Sequence, residues 1–131
     1  MSNITMAQEV CECFEALFAD KEIIPLALKL QWLKMAVGEY GMMLEPLPYD
    51  AKACAFTDEL PQETINILAQ YMNVYYQERY ASKVNKRVSI VTKDISIDGQ
   101  NGAKTAAKAE LDYKREKLSY MVNNAKPTAY S

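Results

Sequence analysis

The apolar residues between Pro25 and Leu44 recur at alternating intervals of four and three. The repeat consists of Leu26, Leu30, Leu33, Val37, Tyr40 and Leu44. Such intervals place apolar side chains on one face of an α-helix, whereas a half-buried strand alternates at every second residue. Pro25 is tolerated at the start because the first turn of a helix has no intrahelical partner for that amide. The sequence therefore predicts a long helix with one apolar face.

Trp32 and three methionines, Met35, Met42 and Met43, lie beside this repeat. We interpret all four as residues that widen the packed face. Exposure of these side chains would instead indicate an interface, because aromatic residues and methionine are enriched at protein interfaces.

The same periodicity predicts three further helices. They span residues 5–19, 61–83 and 103–122. Asn3 or Thr5 is a suitable N-cap for the first of them. The helix predicted at 61–83 carries Tyr71, Tyr75, Tyr76 and Tyr80 at helical spacing. We interpret these tyrosines as packing residues rather than as a stacking platform for single-stranded nucleic acid, because no basic groove is interleaved with them.

The segments between these helices differ in character. Residues 45–60 contain Pro46 and Pro48 without a clean period, which predicts a loop. Residues 87–98 carry β-branched side chains that alternate with polar ones, which predicts a short β-hairpin arm. The residues of this arm that we expect to contact a neighbouring subunit are Val88, Ile90, Val91, Ile95 and Ile97. A polar turn is predicted at Asp98, Gly99, Asn101 and Gly102.

These elements together predict a mainly α fold, a bundle of about four helices. The β-hairpin arm lies between the third and fourth helices, and an extended C-terminal tail follows the last helix. A chain of 131 residues fits one domain, which we place at 1–124 with the tail at 125–131. Half of the residues are hydrophobic, which is enough to fill a core.

Charge is distributed unevenly along the chain. Residues 1–78 hold 4 basic and 12 acidic side chains, a net −8, and residues 79–131 hold 11 basic and 5 acidic ones, a net +6. One interpretation is that both surfaces are solvated and attract each other within one fold. The other is that they meet on neighbouring copies, because complementary charge steers association and fixes its register.

Several kinds of chemistry lack the residues they require. The chain has no histidine, which removes the commonest general base, and Gly99 and Gly102 do not form a phosphate-binding loop. The carboxylate pairs suit helix caps or solvated faces. Those pairs are Glu12 and Glu15, Asp58 and Glu59, and Glu110 and Asp112. We therefore expect no enzyme activity and no cofactor or metal. The alternative hypothesis is a small enzyme that uses these carboxylates or lysines.

The cysteines indicate a reducing compartment. Cys11, Cys13 and Cys54 are odd in number, fit no known bridge framework and follow no secretory signal, so we expect free thiols with a packing role. No run approaches the roughly 18 apolar residues that a membrane span requires. We accordingly expect no membrane-spanning segment.

The stretch from Leu60 to Met72 combines a leucine, an acidic turn, an Ile-Leu-Ala triplet and a methionine, and aromatic residues follow at Tyr75 and Tyr76. This combination resembles the central helix of the head–tail connector (neck adaptor) proteins of tailed phages. Further along, the order of the remaining elements is also similar. They are Thr92-Lys93-Asp94-Ile95, Asn101, Lys104, Leu111, Glu116 and Tyr130. The resemblance covers about residues 56–131, and Tyr75 and Tyr76 stand where the family often has tryptophan.

This resemblance implies a structural virion protein of the phage neck, assembled in the bacterial host cytoplasm. Such a protein forms a ring that matches a dodecameric portal, binds beneath the portal protein, and receives the next neck, stopper or tail protein. Non-specific contact with genomic DNA in the ejection channel is also implied. In this interpretation the tail residues Lys126, Pro127 and Tyr130 contact the portal or neck. The alternative is a small helical regulatory module that binds another protein.

Overall fold

The computed structural model describes residues 4–17, 23–91 and 98–126. In those ranges the chain forms four helices: α1 (Ala7–Glu15), α2 (Leu26–Met43), α3 (Gln62–Val91) and α4 (Asp98–Ala125). Two short strands, β1 (Tyr49–Asp50) and β2 (Ala55–Phe56), lie between α2 and α3. The prediction of a mainly α fold with about four helices is confirmed.

Helix α1 is shorter than predicted and uses a different cap. It begins after Met6, whose backbone amide donates a 3.1 Å hydrogen bond to the carboxylate of Glu9 three residues later. Thr5, one of the two predicted caps, has another role, because its hydroxyl accepts a 2.8 Å hydrogen bond from the amide of Leu60. Asn3 lies outside the described residues. The N-terminal segment is therefore tied to the start of α3 rather than to its own helix.

Helix α2 agrees with the predicted repeat in its limits and in most of its packing. It follows Pro25, as predicted, and its residues Leu33 and Tyr40 are buried. Leu26, the first residue of the repeat, is 61% exposed, because the packed part of the face begins about one turn later. Trp32 is buried as predicted.

The segment predicted as a loop contains a small antiparallel sheet. Tyr49 pairs with Phe56 and Asp50 with Ala55, and the rings of Tyr49 and Phe56 lie 4.8 Å apart. Met6 forms an isolated bridge to Ala55, so the N-terminal segment extends this sheet by one position. A strand of two residues is too short to show an alternating pattern in the sequence. The bridge from Met6, which is distant in the sequence, gives Ala55 a further pairing partner.

The prediction of a β-hairpin arm at residues 87–98 is wrong for those of its residues that the structure describes. Helix α3 continues through Val88, Ile90 and Val91, and α4 already begins at Asp98. The valines at 84, 88 and 91 keep helical intervals of four and three, so the helix propagates despite β-branched residues, whose helix penalty is well under about 1 kcal/mol each. Ile95 and Ile97 lie outside the described residues.

The polar turn predicted at residues 98–102 is also wrong, since Asp98, Gly99, Asn101 and Gly102 all belong to α4. Glycine and asparagine favour turns locally, but they are tolerated in a helix at a cost of about 1 kcal/mol or less each. Helix α4 also ends later than predicted, at Ala125, so the first residue of the predicted tail is helical.

One hydrophobic core joins α1, α2, α3 and the end of α4. Its centre is a trio of aromatic rings, in which Phe14 lies edge-on to Trp32 at 6.0 Å and to Tyr76 at 6.2 Å. Every residue of α3 from Ile67 to Gln77 is buried. The middle of α3 is therefore the axis around which the other helices pack.

Helix α4 runs antiparallel to α3. Gln70 of α3 contacts the backbone of Lys114, while Gln77, seven residues later, contacts the backbone of Ala107, seven residues earlier. Beyond this contact, Val84 and Ala107 form a small second cluster apart from the main core. The second half of α3 and the first half of α4 thus form one end of a helical hairpin. None of the described helices is both long and apolar enough to cross a bilayer.

Candidate functional site

The residues predicted to form an inter-subunit β-arm do not form one in the described structure. Val88, Ile90 and Val91 lie in the last turns of α3, where their backbone groups belong to a helix and offer no strand edge. Ile95 and Ile97 fall outside the described residues. In the described residues, this end of the molecule therefore offers helical surface and no strand edge to a neighbour.

The predicted tail contact is described only at its first member. Lys126 is exposed, and its amide still donates to the carbonyl of Val122 at 3.1 Å, so the helical backbone geometry continues to this residue. Pro127 and Tyr130 fall outside the described residues. Lys126 consequently adds a cation at the C-terminal end of α4, next to the start of α3.

The paired carboxylates are spread over separate exposed surfaces. Glu12 and Glu15 lie on α1, Asp58 and Glu59 precede α3, and Glu110 and Asp112 lie on α4, all of them exposed. In the described ranges no three histidine, cysteine, aspartate or glutamate side chains are grouped closely enough to hold a metal ion. The structure does not bring these carboxylates together.

The three cysteines are free, as predicted. Cys11 is buried in α1, and burial raises the pKa of its thiol, although the nearby Lys29 acts in the opposite direction. Burial also raises the pKa of Cys13, whose thiol contacts the side-chain oxygen of Asn66 at 3.5 Å. A raised pKa reduces the thiolate fraction and with it nucleophilicity, so these thiols favour packing over chemistry.

The tyrosines of α3 pack as predicted, with one exception. Tyr71, Tyr75 and Tyr76 are buried, whereas Tyr80 is 42% exposed. Buried rings cannot stack with the bases of a nucleic acid. This arrangement excludes the described part of α3 as a continuous stacking platform.

A buried polar seam connects α3 to α4 and was missed by the sequence analysis. Its members are Gln70, Asn73 and Gln77 of α3 and Lys114 of α4. The amide groups of Gln70 and Gln77 donate to the carbonyls of Lys114 at 2.9 Å and of Ala107 at 3.1 Å. The intervals of three and four between these α3 residues follow one helix face, and that polar stripe is the signal in the sequence.

Lys114 is the charged member of this seam. Its ammonium group donates a 3.0 Å hydrogen bond to Oε1 of Gln77 and lies 5.4 Å from the centre of the Tyr76 ring. Burial lowers the pKa of Lys114, while Glu110 on the preceding turn of α4 acts in the opposite direction. A shift of α4 along α3 would separate the buried ammonium group from its partners and cost free energy. The seam therefore favours one register of α4 on α3.

The three methionines of α2 are exposed, contrary to the packing interpretation. Met35, Met42 and Met43 are 45%, 86% and 49% exposed. Met43 lies beside Tyr40 in the last turn, whereas Met35 and Met42, seven residues apart, lie on the face of α2 opposite Leu33, which explains why the repeat did not bury them. Gly38 is on the same face, and a Cβ built there meets no atom within 4 Å. This face is the methionine surface of α2.

Charge is separated along the length of α3. Asp58, Glu59 and Glu63 are exposed at its beginning, whereas Arg79 and Lys83 are exposed in its second half. Because α4 is antiparallel, its exposed Lys104 and Lys108 lie beside the basic part of α3. At about 1.5 Å per residue the 30 residues of α3 span about 45 Å. Exposed acids thus lie at the start of α3, where Lys126 at the C-terminal end of α4 is also placed, and exposed bases lie in the second half of α3 and the first half of α4.

Comparisons of the chain with protein-family models, with curated proteins and with solved structures find no match.

Proposed function

We propose that the chain is a structural neck protein of a tailed phage. In this role it is a head–tail connector that forms a ring beneath the portal and joins the DNA-filled head to the tail. The virion is its place of action, and its partners are the portal, the next neck or tail protein and further copies of itself. The proposal assigns it no catalytic role.

The observation that carries this proposal is the separation of charge along the α3–α4 hairpin. Exposed acids at the start of α3 and exposed bases near its far end allow one copy to present a surface that attracts the opposite end of the next copy. A contact between two different surfaces repeats around a closed ring when the rotation between copies closes. The charge pattern is compatible with such a ring, and it also fits a two-fold dimer in which each acidic surface meets the basic surface of the other copy.

The resemblance to connector proteins supports the proposal through α3 alone. Its longest matching stretch, residues 60–72, lies at the start of that central helix. The later elements give less support, because Asn101 lies in α4 and not in a turn. Thr92 to Ile95 and Tyr130 are outside the described residues.

Electron microscopy of the purified chain mixed with portal rings from the same phage genome tests the proposal. We expect a ring of this chain on one face of the portal. Portal rings that remain bare at micromolar concentrations of the chain would count against the neck assignment.

Charge reversal tests the contact between copies. The double variant Asp58→Lys, Glu59→Lys and the double variant Lys104→Glu, Lys108→Glu each disrupt one of the two complementary surfaces. Each variant alone should fail to form rings, because both of its surfaces carry the same charge. An equimolar mixture should assemble again, because the basic surfaces of the first variant attract the acidic surfaces of the second. Lys34→Glu on α2, away from both ends, is the control and should assemble like the unmodified chain.

The methionine surface of α2 favours a second candidate function, a helical module that binds another protein. Methionine adapts to varied apolar partners and is common at promiscuous binding surfaces. A stable small species without affinity for portal rings would favour this alternative. Met42→Glu, which places a charge in the most exposed part of that surface, would then abolish binding to the partner while leaving the fold intact.

A further inference from the structure

A cleft lies between the beginning of α2 and the middle of α3. Its cavity volume is about 40 Å³. The described residues that line it are Ile23, Ile24, Pro25, Leu28, Trp32, Tyr76, Arg79, Tyr80 and Lys83. These residues are apolar, aromatic or basic, and the functions considered above use none of them as a set.

The floor of the cleft is rigid and apolar. Trp32 and Tyr76 lie edge-on to each other at 6.5 Å, and both rings also contact Phe14, which is fully buried. At the rim, Ile23 is 92% exposed and Tyr80 42% exposed. A bound aliphatic side chain would cover these exposed apolar side chains and rest on the packed aromatic rings below them.

The described lining of the cleft includes two basic residues. Arg79 and Lys83 are four residues apart on α3, so both lie on the same face of that helix, and the described lining contains no carboxylate. The beginning of α2 also borders the cleft. Its N-cap is Pro25, which provides no side-chain hydrogen bond, and its first turn has no acidic residue to balance the positive end of the helix dipole.

We propose that this cleft binds an acidic peptide segment of a partner protein through one aliphatic anchor residue. The anchor occupies the space over Trp32 and Tyr76, and carboxylates on either side of it lie near Arg79 and Lys83. This inference goes beyond the proposed function, because it concerns the cleft and not the contact between copies, although Arg79 and Lys83 also belong to the basic part of α3.

The dimensions of the cleft favour a peptide over a nucleic acid. A cavity of about 40 Å³ admits part of one side chain but not a stacked base. Single-stranded nucleic acids bind along basic grooves that follow the backbone over several nucleotides. The cleft offers two cations at one position instead of such a groove.

Fluorescence of Trp32 provides a direct test, because it is the only tryptophan in the sequence. The probe is a short synthetic acidic peptide with one central leucine, titrated into the full chain. We expect a saturable change in Trp32 emission. A peptide with glycine in place of leucine, and one with lysines in place of the acids, should each bind at least about tenfold more weakly, a difference of about 1.4 kcal/mol.

Variants on the protein side locate the binding site. The double variant Arg79→Gln, Lys83→Gln removes both cations and should weaken binding of the acidic peptide by about tenfold or more. Lys34→Gln removes an exposed cation on α2 that does not line the cleft, and its affinity should be unchanged. Far-UV circular dichroism and thermal unfolding establish that each variant is folded.

Three results would overturn the proposal. These are a Trp32 signal that does not saturate with the acidic peptide, equal affinity for the acidic and the basic peptide, and tighter binding of a single-stranded oligonucleotide than of the acidic peptide. All three are measured on the unmodified chain, so a variant that fails to fold does not leave the question open. A positive peptide result with bare portal rings would separate this inference from the neck assignment.

Discussion

Lys114 and Gln77 form a hydrogen bond of 3.0 Å inside the interface between α3 and α4. Both side chains are buried, with 7% and 4% of their surface exposed. Few apolar side chains of α4 are buried beside them. In the described ranges they are Ala107, Leu111 and Val122. The attachment of α4 therefore depends on polar geometry to a degree that the attachment of α1 and α2 does not.

A double-mutant cycle on this pair should give a coupling energy of about 1–2 kcal/mol. Lys114→Met leaves the Oε1 atom of Gln77 without its donor, and Gln77→Leu leaves the ammonium of Lys114 without its acceptor. A buried polar group deprived of its partner costs about 1–3 kcal/mol, so each single variant loses stability and the double variant recovers part of the loss. Urea unfolding of the four proteins measures the coupling.

The matched control is the pair Arg115 and Glu78, which joins the same two helices at the surface. Its atoms Nη2 and Oε1 are 3.7 Å apart, and both side chains are about half exposed. The cycle of Arg115→Met and Glu78→Leu should give a coupling of about 0.5 kcal/mol or less, as is usual for exposed ion pairs. Equal couplings for the two pairs would contradict the role assigned to the buried seam.

The stability of the protein should depend on pH through Lys114. Burial lowers the pKa of this lysine below that of the unfolded chain, so at neutral pH the folded state carries the cost of a buried charge. Between the lowered pKa and the value of about 10.4 for an unfolded lysine, the unfolded state binds more protons and stability rises with pH.

Lys114→Met removes this titration and serves as the reference. We expect the free energy of unfolding of the unmodified chain to rise, relative to Lys114→Met, as the pH increases from about 7 to about 9.5. Urea unfolding at both pH values gives the comparison. A constant difference between the two proteins over this range would show that the pKa of Lys114 is not lowered.

Local periodicity predicted α2 and the first part of α3 well. The repeat from Leu26 to Leu44 and Pro25 before it define α2 almost to the residue, because one packed face determines that pattern. The same reasoning failed at residues 88–91 and 98–102, where β-branched residues, glycine and asparagine favoured strand and turn. Continuation of the helices α3 and α4 outweighs those local preferences.

The candidate functional surfaces were less accessible to sequence reasoning. The cleft joins Ile24 and Trp32 to residues near Tyr80, which are brought together only by the packing of α2 on α3. The polar seam was overlooked because Gln70 and Gln77 on a helix are ordinarily taken for solvated residues. The charge difference between the two halves was visible in the sequence, but the antiparallel pairing of α3 with α4 could not be read from it. That pairing places Lys104 and Lys108 beside the basic part of α3 and Lys126 at the opposite end.

Gly38→Ala should raise the free energy of unfolding by about 0.5–1 kcal/mol. Glycine in the middle of a helix is unfavourable by about that amount relative to alanine, because it loses more backbone freedom on folding. A Cβ at residue 38 meets no atom within 4 Å, so nothing offsets the gain. Thermal or urea unfolding measures the change.

Gly41 is the control for this substitution, since it lies in the same helix. A Cβ at Gly41 would contact the Cα of Pro46 at 3.6 Å, which is ordinary van der Waals packing. Gly41→Ala should therefore also be tolerated, with a gain no larger than that at Gly38. A loss of stability for Gly38→Ala would mean that this exposed position is in contact with another molecule.

Tyr75 and Tyr40 should respond in opposite directions to replacement by phenylalanine. The hydroxyl of Tyr40 lies 3.1 Å from Oγ1 of Thr64 in a buried hydrogen bond, and its removal should cost about 1 kcal/mol. The hydroxyl of Tyr75 is buried with no hydrogen-bond partner of good geometry among the described residues. Tyr75→Phe should thus leave stability unchanged or raise it by up to about 1 kcal/mol.

Tyr75→Phe should also change how the stability of the protein depends on alkaline pH. Burial, and to a lesser extent the carboxylate of Glu39, raises the pKa of Tyr75 well above that of an exposed tyrosine. Above the value of about 10 for an unfolded tyrosine, the folded state holds the phenolic proton longer than the unfolded state does, so stability falls as the pH rises. Tyr75→Phe removes this contribution, and its unfolding midpoint should decline less steeply than that of the unmodified chain between about pH 9.5 and pH 11. Equal slopes would indicate that the Tyr75 hydroxyl reaches water in the folded protein.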